Sequence, residues 1–485
     1  MTSDYSFWPS LTVLIGLAAW VFGTRMRFGA ILSPYSLMLL MLISIFGIRP
    51  LLMPEEPESF DFYGYAIGSD GFEAAGVLGF AGTLAFVLGF SFWRLVMRPK
   101  QTGPGEESPE PAGLPEWAPR RSVLIAVGLS AGWFLFMIVV GGGVGFLTQL
   151  FAGRSETVIA RLENVPAFVG ALPTIGCLTV AAVRFQYERV LRYTRPQSLA
   201  YWLVVAGSVV PPMALGTRRY LIPSILIAVV GAMAGSWNRR IKPRWIGLGV
   251  LGLLALAIIP FVRSAGSRTK LGGDSDIVGA MGLYFQEQGL SGTLNNFFLS
   301  YDTEMFNYLA YMSQTMGNTI PFGMGRGTIG ELIAMPIPDA ITPFQRWNDF
   351  LLMQSFGTKC GYGNPCPVPS IVGVLFSDLA LPGIILGMII LGIMAARFDR
   401  ALLAASGTYV GVLLLTAGFA VAFARGNSLA QVWIAVQCFI VWWGVQKVFL
   451  HAPKTKQEIS PGSLPEAYRR LPRPYAKKES GLQRR

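Results

Sequence analysis

Apolar runs of about 20 residues recur along this chain, each long enough to cross a hydrocarbon core of roughly 30 Å. That repetition constrains the fold more than any motif. Eleven such runs stand out, at 7–24, 31–52, 71–93, 123–143, 168–187, 199–216, 220–237, 246–263, 371–396, 407–424 and 427–448. Backbone in lipid must satisfy its own hydrogen bonds, so each run is expected to be a helix. Composition agrees. Residues AVILMFWYC make up 52% of the 485 positions, and charged residues only 14%, against about 25% in soluble chains. The mean hydropathy is +0.49. The expected fold class is an all-α polytopic membrane protein with about 11 transmembrane helices and a large external helical loop between helices 8 and 9. Soluble enzymes, nucleic-acid-binding modules, collagen and disulfide scaffolds are excluded.

Charge orients the spans. The formal net charge is +12, but the excess is unevenly placed. With the basic tail inside, twelve of the 39 Lys and Arg fall in outward segments. Every short loop then obeys the positive-inside rule. This puts the N-terminus outside and the C-terminus in the cytoplasm. Met1–Tyr5 carries no Lys or Arg, so the first span is expected to be retained rather than cleaved as a signal.

The expected organisation has four parts. Residues 1–263 hold the first eight helices, including a Pro/Gly/Glu-rich disordered cytoplasmic loop at 99–118. Residues 264–370 form an external cap, too long for a simple connector and rich in aromatic residues. Within it, 293–313 has helical spacing and 328–335 suggests a short helix stopped by Pro336 and Pro338. Residues 371–450 supply the last three helices. The tail 451–485 is basic and is expected to lie on anionic headgroups, with a specific partner as the lesser reading.

Ten of the twelve outward cations are Arg, whose planar fork matches phosphate oxygens. Arg49, Arg218, Arg219, Arg263, Arg268 and Arg425 lie at outer span ends, at the depth of a lipid diphosphate. The plainer alternative for each is snorkelling to ordinary phospholipid. The external acids Asp302 and Glu304 sit in YDTEMFNY. A sugar-transfer reaction needs a general base, and an aromatic setting raises a carboxyl's basicity. Their alternatives are a solvated loop or an ion pair with an arginine. Cys360 and Cys366 frame CGYGNPC, a turn-forming segment in an oxidising setting, and a disulfide is the favoured reading. It would restrict a seven-residue loop by roughly 2 kcal/mol. A metal site is not expected, because no His or further Cys lies nearby. Gly325, Gly327 and Gly330 spell G-x-G-x-x-G, but without a preceding strand this is not read as a dinucleotide site. Charge within spans is almost nil, Asp378 being the main exception. That counts against an ion-coupled transporter.

GTRRY at span seven, PSIVGVLFSDLALPGIILG entering span nine, ARGNS before the last span and the large late loop resemble O-antigen and exopolysaccharide repeat-unit polymerases of the Wzy type. Related O-antigen ligases share the loop, but their catalytic His has no counterpart here. The resemblance implies a glycosyltransferase at the external face of a bacterial cytoplasmic membrane. It would join repeat units carried on polyprenyl diphosphate, without cofactor or metal. Glu304, ahead of Asp302, would act as base, and Arg218, Arg219, Arg263, Arg268 and Arg425 would hold the diphosphate. The implied partners are lipid-linked glycans and the bilayer, with a chain-length regulator as a further candidate and no nucleic acid. The rival readings are a transferase using polyprenyl-phosphate sugars, a glycan ligase, and a lipid-linked sugar flippase.

Overall fold

The computed structural model describes residues 6–53, 61–62, 65–96, 117–152, 161, 167–188, 193–215, 218–233, 237, 240, 304–334, 346–357, 368–405, 407–426 and 428–450, with a few single positions between 286 and 299. Met1–Leu450 forms one compact unit; His451–Arg485, the expected basic tail, is a second unit outside the described residues.

The described fold is helical apart from a two-residue hairpin pairing Asp61–Phe62 with Tyr65–Ala66. The described helices of ten or more residues are α1 (Phe7–Thr24), α2 (Pro34–Leu52), α3 (Ser69–Val96), α4 (Ala118–Gly141), α5 (Ala167–Tyr187), α6 (Arg195–Leu215), α7 (Arg218–Ala232), α8 (Met305–Thr315), α9 (Trp347–Phe356), α10 (Ser370–Ala404), α11 (Thr408–Arg425) and α12 (Ser428–Val445). Eight helices among the described residues are long and apolar enough to cross a membrane. The protein is therefore a multi-pass helical membrane protein. The runs at 199–216 and 220–237 fall on α6 and on α7, the latter only 15 residues long. The run at 246–263 lies outside the described residues, as does the loop 99–118.

Local chemistry sets the boundaries. α1 stops at Arg25, which adopts a left-handed φ of 48°. Ser33 opens α2 by accepting the Ser36 backbone N–H, with Pro34 at the first helical position. α2 widens into a π-turn at Ser44–Ile48 before Arg49–Leu52 completes it. α4 ends on Gly142 at φ 74°.

In lipid, helices associate through close packing rather than a hydrophobic driving force, and small residues allow that approach. The α3–α10 pair shows it. A Cβ on Gly89 would sit 2.2 Å from the Ile389 carbonyl oxygen, and one on Gly392 would sit 2.2 Å from that of Phe86. Around this pair, α2, α3, α8, α10 and the end of α11 share one buried cluster containing Phe46, Phe72, Phe86, Phe306 and Trp347. A second cluster joins α5, α7, α11 and α12 around Tyr220, Leu414 and Trp442.

The bundle has two distinct ends. At one, α8 lies over the start of α3, with the Ser313 hydroxyl 3.4 Å from the Gly71 carbonyl; this is the cap end. At the other, Arg94 donates to the Gly23 carbonyl at 2.9 Å. Gly407 N–H meets Gln186 Oε1 there at 3.2 Å, and Ala118, Val183 and Leu450 cluster together. Arg25, Arg27, Arg120, Arg121, Arg397 and Lys447 belong to this second, basic end.

Gly392→Val should therefore cost about 1–3 kcal/mol, the usual range for overpacking. Gly128, with nothing within 4 Å of a built Cβ, is the control. Thermal unfolding in detergent should show a lowered midpoint for Gly392→Val and little change for Gly128→Val.

Candidate functional site

The cap end gathers charge in two places. The first is built on Arg49. Its position in the last turn of α2 places a guanidinium inside the bundle, where it is 3% exposed. A buried charge needs compensation from several sides. Arg49 Nε donates to Asn307 Oδ1 at 3.3 Å, and Nη1 donates to the Phe298 carbonyl at 3.3 Å. Both acceptors come from the segment between α7 and α10. Glu304, the residue that precedes and caps α8, adds an electrostatic interaction with Arg49. Glu304 is half-buried, and α8 behind it is buried continuously from Met305 to Met312.

This setting makes Glu304 unusual for a carboxyl. Burial raises its pKa from 4.5 to about 7, and Arg49 offsets only part of that rise. The carboxyl therefore exchanges protons near neutrality. Burial and the nearby arginine thus act on this carboxyl in opposite directions, and burial is the larger effect.

The second place is built on Asp378 of α10. Its side chain is fully buried, yet well supplied with donors. Gly325 and Gly327 N–H groups reach Oδ1 at 2.7 and 3.0 Å, and the Thr328 hydroxyl reaches Oδ2 at 2.5 Å. Gly323 N–H donates to the Ser377 carbonyl and Met324 N–H to the Asp378 carbonyl, both at 2.9 Å. The G-x-G-x-x-G run is thus a nest of backbone donors for a carboxylate of the same chain. Glycine is required sterically. Gly325 has φ +95°, and a Cβ on Gly323 would lie 2.5 Å from Asp378 Oδ1. Behind the nest, Trp347 Nε1 donates to Ser377 Oγ at 3.2 Å, and Trp347 N–H donates to Glu331 Oε2 at 2.8 Å. α10 breaks directly after Asp378, with Leu379 at φ −133°, Ala380 at φ 53°, and Pro382 following.

The remaining candidate residues divide. Arg425 closes α11 at the cap end, half-buried, with its positive charge at the helix C-terminus. α11 packs along α2, and Ala420, Phe423 and Ala424 join the buried cluster that holds α8. Arg425 and Arg49 are thus at the same end of neighbouring helices. Arg218 and Arg219 begin α7, but their side chains lie outside the described residues. Asp302, Arg263, Arg268, Cys360 and Cys366 also lie outside them. Among the described residues no cluster of three or more His, Cys, Asp or Glu could hold a metal ion.

Sequence reasoning placed Arg49 at a span end without pairing it with Glu304. The Asn307 and Phe298 acceptors are separated from it by 258 and 249 residues, beyond any local pattern. It also set the glycine run and Asp378 apart, although each supplies what the other lacks. An acid inside a span and a donor-rich glycine turn at the same membrane end form a complementary pair. Comparison with protein-family models, curated proteins and solved structures gives no match to this chain.

The raised Glu304 value fixes the sign of a pH effect. The folded pKa of about 7 exceeds the ordinary 4.5, so folding favours the protonated form. Its contribution to stability is fully present below pH 4.5 and is lost as pH rises through about 7. Glu304→Gln, permanently neutral, should unfold at a higher temperature than the parent above pH 7, with the difference closing below pH 4.5. Arg49→Met should move the carboxyl's titration, followed by infrared difference spectroscopy, to still higher pH.

Proposed function

We propose that this protein is a membrane glycosyltransferase that polymerises polyprenyl-diphosphate-linked oligosaccharide repeat units at the non-cytoplasmic face of a bacterial cytoplasmic membrane. The observation that carries the reading is Glu304: a carboxyl with a pKa of about 7 at the cap end of a membrane bundle, beside a buried arginine. A general base works best with a pKa near the working pH. The basic end opposite fits a cytoplasmic assignment under the positive-inside rule, leaving the cap end outside.

In this reaction Glu304 takes the proton from the acceptor's sugar hydroxyl. The hydroxyl oxygen forms a bond to the donor's anomeric carbon. The bond from that carbon to the polyprenyl diphosphate breaks, and the diphosphate leaves with the electron pair. Arg425, with Arg218, Arg219, Arg263 and Arg268, holds the negative charge growing on the leaving group. Arg49 adds positive charge near the Glu304 carboxyl and limits how far burial raises its pKa. Asp302 is the second candidate for the base. Chemistry of this kind draws its energy from the diphosphate leaving group and needs no nucleotide.

Purified protein incubated with a polyprenyl-diphosphate-linked repeat unit should yield a gel ladder with one-repeat spacing. Glu304→Gln should lower the rate by about 100- to 10,000-fold, and Arg425→Ala by about 100- to 1,000-fold, both at normal protein levels. Full-length polymer from Glu304→Gln would remove this residue from the mechanism. Absence of a ladder from the parent protein with its native repeat unit would favour a single-sugar transferase or a flippase.

A further inference from the structure

Residues 323–334 combine two properties rarely found together in a connecting segment. The first is an exposed apolar row: Met324 is 76% exposed, Ile329 67%, Leu332 50% and Ile333 61%. Four large apolar side chains exposed within ten residues mark a surface that meets something other than water.

The second is a backbone whose donors are already used. Gly323 and Met324 bond the Ser377 and Asp378 carbonyls, and Gly325 and Gly327 bond the Asp378 carboxylate. Arg326 N–H reaches the Gly323 carbonyl, Gly330 N–H reaches that of Gly325, and Glu331 N–H reaches those of Arg326 and Thr328. Non-helical backbone survives at membrane depth only where protein supplies its hydrogen bonds. An aqueous loop has no such requirement, because water supplies them.

Continuity identifies the occupant. The segment is fastened at Asp378, and from the next residue onward α10 turns Leu379, Leu381, Ile385, Leu386 and Ile390 outward. α10 is one of the helices able to span the membrane, so its outward face is a lipid face. The exposed row of 323–334 begins where that face begins. Arg326, exposed and 5.4 Å from the Trp347 ring, provides a cation-and-aromatic pair suited to the headgroup boundary.

We propose that residues 323–334 form a re-entrant strap, clasped by Asp378, whose Met324, Ile329, Leu332 and Ile333 lie among lipid acyl chains rather than in water. The segment read from sequence as wholly external would then include a piece that dips back into the leaflet.

Spin labels at Ile333→Cys, Leu386→Cys and Asn318→Cys test this, each in a Cys360→Ser/Cys366→Ser background. Cys177 and Cys438 are buried and stay unlabelled. In phosphatidylcholine/phosphatidylglycerol vesicles, power saturation reads collisions with oxygen, which concentrates in lipid, and with a water-soluble nickel chelate. The label at 333 should match the one at 386 on α10, with an oxygen-to-nickel ratio several-fold above that at 318 on an exposed turn. Nickel access at 333 equal to that at 318 would overturn the proposal. So would protection from both reagents, which would mean protein covers the row. Asp378→Asn should raise nickel access at 333 by loosening the clasp. Should that variant fail to fold, the comparison of the three labels still decides.

Discussion

A carboxylate sealed inside an apolar bundle must be given hydrogen bonds, and Asp378 receives them from a turn some fifty residues earlier in the chain. This one demand organises much of the cap end. It requires glycine at 323 and 325, because neither a Cβ nor an ordinary φ fits there. It brings Trp347 against Ser377, and through Trp347 it buries Glu331. It also coincides with the break in α10, where Ala380 holds a positive φ that only a well-determined surrounding sustains. Glycine contacts lock α10 to α3 below the break, so the strap is referenced to a closely packed helix pair.

Arg49 is the second buried charge, and its solution is different. No single turn serves it; the acceptors are Asn307 and the Phe298 carbonyl, and the charge of Glu304 lies near enough to act on it electrostatically. The partnership is asymmetric. Arg49 is deeply buried, whereas Glu304 retains access to the surface. The buried arginine thus acts on a carboxyl that water can still reach.

The helical membrane class could be read from the sequence because span length and apolarity are local quantities set by bilayer thickness. The ends of α1, α2 and α4 depend on residues such as Ser33, Pro34 and Gly142, whose preferences act within one turn. The acid at Glu304 could be singled out because it stands among aromatic residues in the sequence. What could not be read were the long-range closures. Nothing near Arg49 announces Asn307, and the glycine run resembles a phosphate-binding loop because backbone donors suit carboxylate and phosphate oxygens alike. Of the helical spacing read over 293–313, the part from Met305 onward is the helix Met305–Thr315, and most of 293–303 lies outside the described residues. The short helix expected at 328–335 appears as a π-turn, Arg326–Gly330, followed by Glu331–Ala334. Its start is set by the clasp, which no local propensity encodes.

The separation between Arg49 and Asn307 has a consequence for biosynthesis. A separation of 258 positions takes about 13–50 s to synthesise at roughly 5–20 residues per second. Throughout that interval the guanidinium at the end of the second span has no acceptor from this part of the chain. The translocating chain must hold it in hydrated surroundings at the membrane surface. The final seating of α2 is thus a late event, coupled to the arrival of a segment made after α3–α7.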